Sequence, residues 1–299
     1  MGARKKNWPQ GDGTVPVAVI MISLNEAHNM EAVLENLRGW AHEVFLVDSY
    51  SSDATVSIAL EHGVHVVQRR FNGFGDQWNW ALDNLPVTSD WTMKLDPDER
   101  LTDELKASIG RAVAADRTDA LSFTRRLWFM GKPLPVSHPL LRVWRTGRCR
   151  FSDVLVNEHP KVDGTREHIA GELEHHDSPH LHHWYEKQNA YSTAEATSSF
   201  RNDALADEPR LFGTPFQRRM WLKRNYRRLP FRYTLIFLYC LLVQGAWKAG
   251  RVGVIWARLR SDVYRMRDYK RLEMQMQGKA TAPAGSRTGE ADNRVEQFA

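Results

Sequence analysis

Short apolar runs rich in β-branched residues alternate with segments of helical periodicity over the first hundred residues. The runs occupy residues 15–22, 44–47, 64–67 and 91–95. Leu34 and Leu37 share one helical face after the first run, and Val56, Ala59 and Leu60 do so after the second. Strands that alternate with helices in this way predict an α/β fold with a mostly parallel sheet and right-handed crossovers.

Capping residues predict where two of the helices begin. Ser52 and Asp53 predict the N-cap and acidic first turn of the second helix. Thr102, followed by two acidic residues, predicts another helix that reaches residue 115. A fifth strand is predicted at residues 120–124.

Beyond residue 124 the pattern is less regular. Three prolines at residues 133–139 predict only shorter strands, around residues 140–144, and helical spacing returns at residues 184–200. We therefore expect four parts: a flexible N-terminus (1–14), the α/β domain (15–210), a basic, amphipathic helical region (211–277) and a disordered tail (278–299).

Charge is distributed unevenly along the chain. There are 41 Lys and Arg against 36 Asp and Glu, for a net charge of +5, but residues 218–271 hold 15 of the basic residues and only two acidic ones. This imbalance predicts a polyanionic partner for the helical region, either nucleic acid or anionic lipid. The apolar run at residues 235–243 is shorter than the roughly 20 residues of a spanning helix, which favours a segment at a membrane surface or in a core.

The cysteines and the N-terminal residues both favour a cytoplasmic location. Cys149 and Cys240 lie far apart and indicate neither a disulfide framework nor a cysteine zinc site. Residues 1–16 are polar and contain no apolar signal segment. We therefore expect the protein in the cytoplasm.

Polar residues follow three of the predicted strands, where an open α/β sheet binds its ligands. They are Asn25 and Glu26 after the first strand, Asp48, Ser49 and Asp53 after the second, and Asp96, Asp98 and Glu99 after the fourth. We expect these residues to meet in one crevice. The alternative is that Asn25, Asp48 and Asp53 serve only as turn and cap residues, which is their commonest role.

The acidic cluster at Asp96, Asp98 and Glu99 indicates a site for a hard divalent cation. Three carboxylates within four residues repel one another unless they are compensated, and Mg²⁺ or Mn²⁺ prefers such oxygen ligands together with diphosphate oxygens. In an extended segment Asp96 and Asp98 would point to the same side. Since no Gly-rich phosphate loop is present, diphosphate recognition is expected from the cation and from Arg69 and Arg70.

A group of histidines follows the predicted strands. It comprises His175, His176, His180, His182 and His183. No cysteine or clean i, i+4 pair accompanies them, which argues against a structural zinc site. We expect one or two of these histidines to contact an acceptor or a diphosphate.

Four strings resemble the GT-A catalytic domain of glycosyltransferase family 2: VAVIMISLNEAHNM, VFLVDSYSSDAT, GFGDQWNWAL and WTMKLDPDE. The resemblance is closest to the bacterial branch that includes lipopolysaccharide-core β-glucosyltransferases. VLVNEHP is similar to that branch's (V/H)HE segment, KQNAYSTAEA is similar to its helix with a Lys, a Tyr and a Glu-Ala pair, and residues 229–269 resemble its membrane-associated tail.

This resemblance implies a GT-A (Rossmann-like) sheet flanked by helices, followed by a basic helical membrane-associating region. It also implies roles for particular residues. Donor nucleotide contacts are expected from Asn25, Glu26, Asp48, Ser49, Arg70, Gln77 and Asp96, a direct metal bond from Asp98, and catalytic base action from Glu158. The chain departs from the family pattern at Tyr50, where Gly is usual, and at Asn157, where His is usual; Tyr50 suggests an altered turn.

The expected function is therefore inverting, metal-dependent transfer of a sugar from a nucleotide diphosphate sugar, a UDP-hexose, with Mg²⁺ or Mn²⁺. The expected acceptor is a lipid-linked or lipopolysaccharide-core saccharide. We expect the enzyme to bind the anionic inner face of the bacterial inner membrane as a peripheral protein, and not to bind nucleic acid.

Two alternatives remain at this point. A nucleotidyltransferase would share the sheet and the metal, although it would carry a Gly-rich basic segment where residues 23–26 are acidic. A nucleic-acid-binding protein could use the arginines of residues 218–228 together with Trp221 and Tyr226. The apolar run just downstream and the absence of a recognised binding motif argue against the second alternative.

Overall fold

The structure is a computed structural model that describes residues 7–9, 11, 14–152, 159–201, 208–281 and 296–298. Its strands are β1 Val15–Ser23, β2 Ala41–Asp48, β3 His65–Gln68, β4 Trp91–Lys94, β5 Glu99–Leu101, β6 Ala120–Phe129, β7 Lys132–Arg145, β8 Cys149–Phe151, β9 Pro160–Val162, β10 Arg166–His176 and β11 Glu296–Phe298. Its α-helices are α1 Ala27–Leu37, α2 Thr55–Glu61, α3 Phe74–Asn84, α4 Asp103–Ala115, α5 Leu181–Arg201, α6 Pro215–Asn225, α7 Arg232–Leu238 and α8 Gly250–Gln277.

Nine of these strands form one mixed sheet in the order β11-β3-β2-β1-β4-β7-β6-β10-β5. The four predicted strands β1 to β4 are parallel neighbours, which confirms the predicted α/β fold. The rest of the sheet is less parallel than expected, because β7 is antiparallel to both β4 and β6, and β5 is antiparallel to β10. β11 pairs with the edge strand β3, so residues 296–298 depart from the expectation of a disordered tail.

Alternating side chains of β1 build the core on both faces of the sheet. Val17 and Val19 face a cluster that includes Leu34 of α1 and Leu105 of α4. Ile20 faces the opposite cluster, which includes residues of α3. Helices on both faces bury most of the parallel strands and leave the carboxyl ends of β1, β2 and β4 at one edge of the sheet.

Strand β7 is one long strand where only shorter strands were predicted. Its first half, which contains Pro133, Pro135 and Pro139, pairs only with β6, whereas β4 joins it from Val143 onward. Proline has no N–H for a second neighbour, so it is tolerated in this half, where one edge has no paired strand.

The two predicted helix starts have different outcomes. Thr102 caps α4 by accepting a hydrogen bond from the Leu105 amide, as expected. The second helix instead has Ala54 as its N-cap, without a side-chain cap. Asp53 accepts from the Thr55 amide and from the Ala27 amide at the start of α1, so it stabilises the ends of two helices at once.

The C-terminal helices pack against the second half of the sheet. Phe129 of β6, Trp184 of α5 and Trp256 of α8 belong to one buried cluster. Among the described residues, no single helix is both long and apolar enough to cross a membrane. Residues 232–243 and 246–277, which meet at an angle of 68°, reach the length and apolar composition of a spanning helix only when taken together.

Candidate active site

The segment that follows β4 is a turn, not the extended segment that was predicted. The Glu99 amide donates to the Asp96 carbonyl at 2.9 Å, which closes the turn around Pro97. Asp96 and Asp98 consequently have different partners: Asp96 lies against Arg142, and Asp98 against Lys187 and His175. The chain therefore presents two separate carboxylates with two separate environments.

Asp98 lies at the centre of a buried charged cluster. Its Oδ2 is 2.7 Å from Lys187 Nζ and 3.2 Å from His175 Nε2. Burial alone would raise the pKa of Asp98, but Lys187 and His175 hold it well below its ordinary value. Asp98 is therefore a carboxylate throughout the neutral range.

Asp98, His175 and Asp177 could together hold a metal ion, since one potential ligand atom of each lies within 4.8 Å of the others. The two carboxylates suit Mg²⁺ or Mn²⁺, and the imidazole adds a nitrogen donor that the less hard Mn²⁺ accepts more readily than Mg²⁺. The backbone N–H of His176, the residue after His175, donates to the Asp98 carbonyl at 2.8 Å. This hydrogen bond also holds the cluster in place. The residues present thus fit the cation that the sequence predicted.

Asp96 and Glu99 share one buried guanidinium. Arg142 is 2.9 Å from Asp96 Oδ2 and 2.7 Å from Glu99 Oε1. Despite burial, Arg142 and Lys94 lower the pKa of Asp96 to about 2. Glu99 has no exposed surface, and burial raises its pKa in spite of Arg142. Arg142 therefore fixes the two ends of the turn.

Asp48 is fully buried at the end of β2. Its carboxylate accepts from the Ser23 hydroxyl at 2.9 Å, from the Gln68 amide at 2.9 Å, and from both the backbone N–H and the hydroxyl of Ser51. A contact between Asp48 and a nucleotide would have to replace one of these bonds. The observed bonds show a role in shaping the loop after β2, and its role in donor binding stays a prediction.

Asn25 and Glu26 lie beside that loop. Asn25 has a left-handed backbone (φ 57°) and accepts from the Ser52 amide at 2.8 Å. The Glu26 amide donates to the Thr55 hydroxyl, and its carboxylate accepts from Asn29. Burial, followed by the charge of Asp98, raises the pKa of Glu26 to about 7.

The raised pKa of Glu26 predicts a pH dependence of stability in the metal-free protein. A carboxyl whose pKa rises from 4.5 to about 7 on folding contributes stability below pH 4.5, and this contribution is lost as the pH rises toward 7. Relative to Glu26→Gln, the wild type should therefore lose up to about 3 kcal/mol over this interval. Denaturant unfolding at pH 4.5 and pH 7.5 in EDTA measures this loss of stability. The control Glu104→Gln changes an exposed carboxyl on α4 and should show no comparable difference.

The remaining predicted donor residues lie at the other side of the loop. Gln77 of α3 is fully buried; its side chain accepts from Arg69 at 2.6 Å and donates to the Ser49 hydroxyl at 3.4 Å. Arg69 also pairs with Asp76, and Arg70 is exposed. Ser49 and Gln77 are thus brought together, and their contacts with a nucleotide stay a prediction.

Tyr50 retains a backbone geometry that glycine favours. Its φ is 63°, in the left-handed region, and its side chain is exposed. Tyr50 therefore occupies a left-handed turn, at a cost of about 1 kcal/mol in backbone strain, and an altered turn relative to the family stays a prediction.

The other predicted residues divide into two groups. Glu158 and Asn157 lie outside the described residues, so Glu158 as the base stays a prediction. Of the histidines, His175 joins the charged cluster, His176 stacks on Trp128, and His183 contacts the ring of His28.

Sequence reasoning missed three residues that lie around the acidic turn: Arg142, Asp177 and Lys187. Arg142 had a usable signal, because this cation stands between apolar residues near the end of β7. Asp177 carries no signal in the local pattern, and Lys187 belongs to the string KQNAYSTAEA, which predicts only a helix. The Lys187–Asp98 ion pair joins residues 89 positions apart, and Asp177 comes near Asp98 only through the fold, so no local pattern predicts either.

Comparison with known proteins identifies the family. The model of glycosyl transferase family 2 matches residues 18–170, half of the chain. A Rickettsia bellii protein described as an uncharacterized glycosyltransferase is 33% identical over 106 residues, covering 36% of this chain and 35% of that protein. A similar Rickettsia felis protein is 32% identical over 103 residues, 34% of this chain and 36% of that protein. The chain thus spans about a third of the length of these curated relatives.

Two solved structures are similar over most of the chain. The mannosyltransferase PcManGT of Pyrobaculum calidifontis, in complex with GDP-Man and Mn²⁺, is 17% identical, with a TM-score of 0.49 and 90% of each chain covered. The S. aureus protein TarS (residues 1–349), in complex with UDP-GlcNAc, is 13% identical, with a TM-score of 0.40 and coverage of 94% of this chain and 96% of that chain.

The parallel β1–β4 strands, the acidic turn after β4 and the family match define the class as a glycosyltransferase of the GT-A fold. The chain belongs to glycosyl transferase family 2. The predicted glycosyltransferase class and the GT-A sheet flanked by helices are therefore confirmed, whereas the membrane association of the C-terminal helical region stays a prediction.

Proposed function

We propose that this glycosyltransferase transfers a hexosyl group from a UDP-hexose to a hydroxyl of a lipid-linked or lipopolysaccharide-core saccharide, with inversion at the anomeric carbon. The observation that carries the proposal is the buried cluster of Asp98, His175 and Asp177 at the carboxyl end of β4, in a chain of this family. Its donor atoms suit the Mg²⁺ or Mn²⁺ that a diphosphate leaving group requires.

The residues divide the chemistry between them. Asp98, His175 and Asp177 would hold the cation, which when bound would offset the charge that develops on the departing diphosphate. Arg142 fixes the turn that carries Asp98, so the charge of the site is oriented before the donor arrives. Glu158 would remove the proton of the acceptor hydroxyl, as the resemblance implies.

A panel of nucleotide diphosphate sugars tests this function. Each sugar nucleotide is incubated with the full-length protein and with lipid-linked or core saccharides, with and without EDTA, and nucleotide release and glycosylated product are measured. We expect a UDP-hexose to be consumed, loss of turnover in EDTA and recovery on addition of Mn²⁺. Pyrophosphate release from a nucleoside triphosphate and a sugar phosphate would instead indicate a nucleotidyltransferase.

We also propose that the C-terminal helices bind the anionic inner surface of the bacterial inner membrane. Leu235, Leu238, Tyr239 and Leu242 follow one face of α7 and the π-helical turn after it at positions i, i+3, i+4 and i+7, and all four are exposed. With Phe231, Val243 and Trp247 they form an exposed apolar ridge. A water-facing apolar stripe of this kind suits the headgroup region of a bilayer.

Exposed cations flank the apolar ridge in sequence. They are Arg218, Arg219, Arg224 and Arg228 before it, and Lys248, Arg251 and Arg258 after it. Each cation near an anionic leaflet contributes about 1 kcal/mol to the free energy of membrane binding, and burial of the apolar ridge adds to this. The combination favours a lipid surface over nucleic acid, since phosphate contacts alone would not need an apolar ridge.

Substitution within the ridge should weaken membrane binding. The double substitution of Leu235 and Leu242 by Glu removes two exposed apolar side chains and adds two negative charges, so binding to vesicles with anionic lipid should fall at least about tenfold. Vesicle sedimentation measures this, with Leu272→Glu, an exposed leucine of α8, as the matched control. Unchanged vesicle binding by the double variant, or salt-sensitive binding to oligonucleotides without vesicle binding, would contradict the proposed surface.

A further inference from the structure

Lys187 lies at the centre of the cluster that could hold the metal. Its Nζ is 2.7 Å from Asp98 Oδ2, 3.1 Å from Asp177 Oδ1 and 3.1 Å from the Asp177 carbonyl. The side chain is 20% exposed, whereas those of Asp98 and Asp177 are 8% and 12% exposed. One ammonium group thus joins two buried carboxylates.

These two carboxylates are also two of the three possible metal ligands. Asp98 Oδ2 is shared between Lys187 Nζ and His175 Nε2, and Asp177 Oδ1 is 3.9 Å from the same imidazole nitrogen. Bound through Asp98 Oδ2 and Asp177 Oδ1, the carboxylate oxygens closest to His175 Nε2, a cation would use the oxygens that now pair with Lys187. The lysine and the metal therefore have overlapping positions.

A divalent cation and the ammonium group cannot share these oxygens at low cost. Mg²⁺ lies about 2.1 Å from a carboxylate oxygen, so the two cations would be separated by less than about 5 Å in a buried site. At that distance, in an environment of low effective dielectric, they repel strongly. Binding of the metal thus requires that Lys187 leave Asp98.

We propose that Lys187 is a resident counter-cation of the metal-free site, and that a divalent metal binds by displacing it. This inference rests on the metal-dependent function proposed above. The lysine side chain is a flexible stem that ends in a point charge, so it can move while its helix stays in place. The backbone of α5 is held by buried Trp184, three residues before Lys187. The displaced ammonium remains within reach of the cluster, where the diphosphate of the donor can accept its hydrogen bonds.

Direct metal binding tests the displacement. Lys187→Met keeps an unbranched side chain that is one atom shorter and removes its charge. The full-length variant should bind Mn²⁺ at least about tenfold more tightly than the wild type, because no cation has to be displaced. MnCl₂ alone is the probe, and electron paramagnetic resonance of free Mn²⁺ gives the dissociation constant. Lys187→Gln should also tighten binding, Lys187→Arg should not, and Lys106→Met on α4 serves as the matched control.

A second measurement addresses the diphosphate. Addition of UDP should tighten Mn²⁺ binding by a larger factor in the wild type than in Lys187→Met, since only the wild type has an ammonium group for the diphosphate to accept from. Thermal melting in EDTA identifies any variant that fails to fold, and Lys187→Gln then replaces Lys187→Met.

The outcomes separate this inference from the function on which it rests. Equal or weaker Mn²⁺ binding by folded Lys187→Met and Lys187→Gln would show that Lys187 is a structural ion pair, and the inference would be wrong although the metal site stands. If neither the wild type nor any variant binds Mn²⁺, with or without UDP, the proposed metal dependence fails, and the displacement fails with it.

Discussion

Asp98→Asn is expected to lower turnover at least about a hundredfold while the protein remains folded, the usual scale for loss of a key electrostatic stabiliser. The substitution keeps the shape of the side chain and removes a charge that Lys187 and His175 hold in the ionised form. The fold should survive because Lys187 still pairs with Asp177 at 3.1 Å. Turnover is measured with the sugar nucleotide that the wild type accepts.

The control for this substitution is Asp83→Asn, which removes an exposed carboxylate paired with Arg150. It should change turnover by less than about twofold, since exposed ion pairs contribute little. Turnover of Asp98→Asn close to that of the wild type, with Mn²⁺ bound normally, would show that the charge of Asp98 serves only to pair with Lys187.

The parallel part of the sheet could be predicted because its signals are local. Apolar runs followed by helical spacing predict the bounds of β1 to β4 to within about three residues. The positions of the carboxylates after these strands follow from chain order alone. The order of the remaining strands could not be predicted in this way. β7 lies between β4 and β6 because it pairs with strands that are distant in sequence. Its prolines also weaken the local signal for a strand.

The candidate site, too, could be predicted only where its signals are local in sequence. The sequence predicted that Asp96 and Asp98 lie at a strand end, but not that they would separate into two environments. That separation comes from Arg142 on β7, which binds Asp96 and Glu99, and from Lys187 on α5, which binds Asp98. Contacts over 40 to 90 residues depend on how strands and helices pack, so the local signal for Arg142 is limited to a charge between apolar residues of β7.

Arg142→Met should be the most destabilising of these substitutions. Arg142 is 5% exposed and binds two carboxylates, of which Glu99 has no exposed surface. Removal of one partner from a buried ion pair costs about 3–5 kcal/mol, because the remaining charge is left uncompensated. Here Glu99 keeps a longer contact with Arg125, at 3.6 Å, and can also take up a proton, which limits the cost to about 3 kcal/mol at pH 7. Denaturant unfolding measures the free energy, and Arg150→Met, an exposed pair, should cost less than about 1 kcal/mol.

The cost of Arg142→Met should depend on pH in a defined direction. Loss of the guanidinium raises the pKa of Glu99 further above 4.5, and a group with a raised pKa in the folded state loses its stabilising contribution as the pH rises. The difference from wild type should therefore be larger at pH 8 than at pH 5. The double variant Arg142→Met with Glu99→Gln should recover most of the loss, because residue 99 then carries no charge and Asp96, the other carboxylate that Arg142 pairs with, is partly exposed. A double variant no more stable than Arg142→Met would mean that the cost arises from packing of the arginine stem and not from the charge of Glu99.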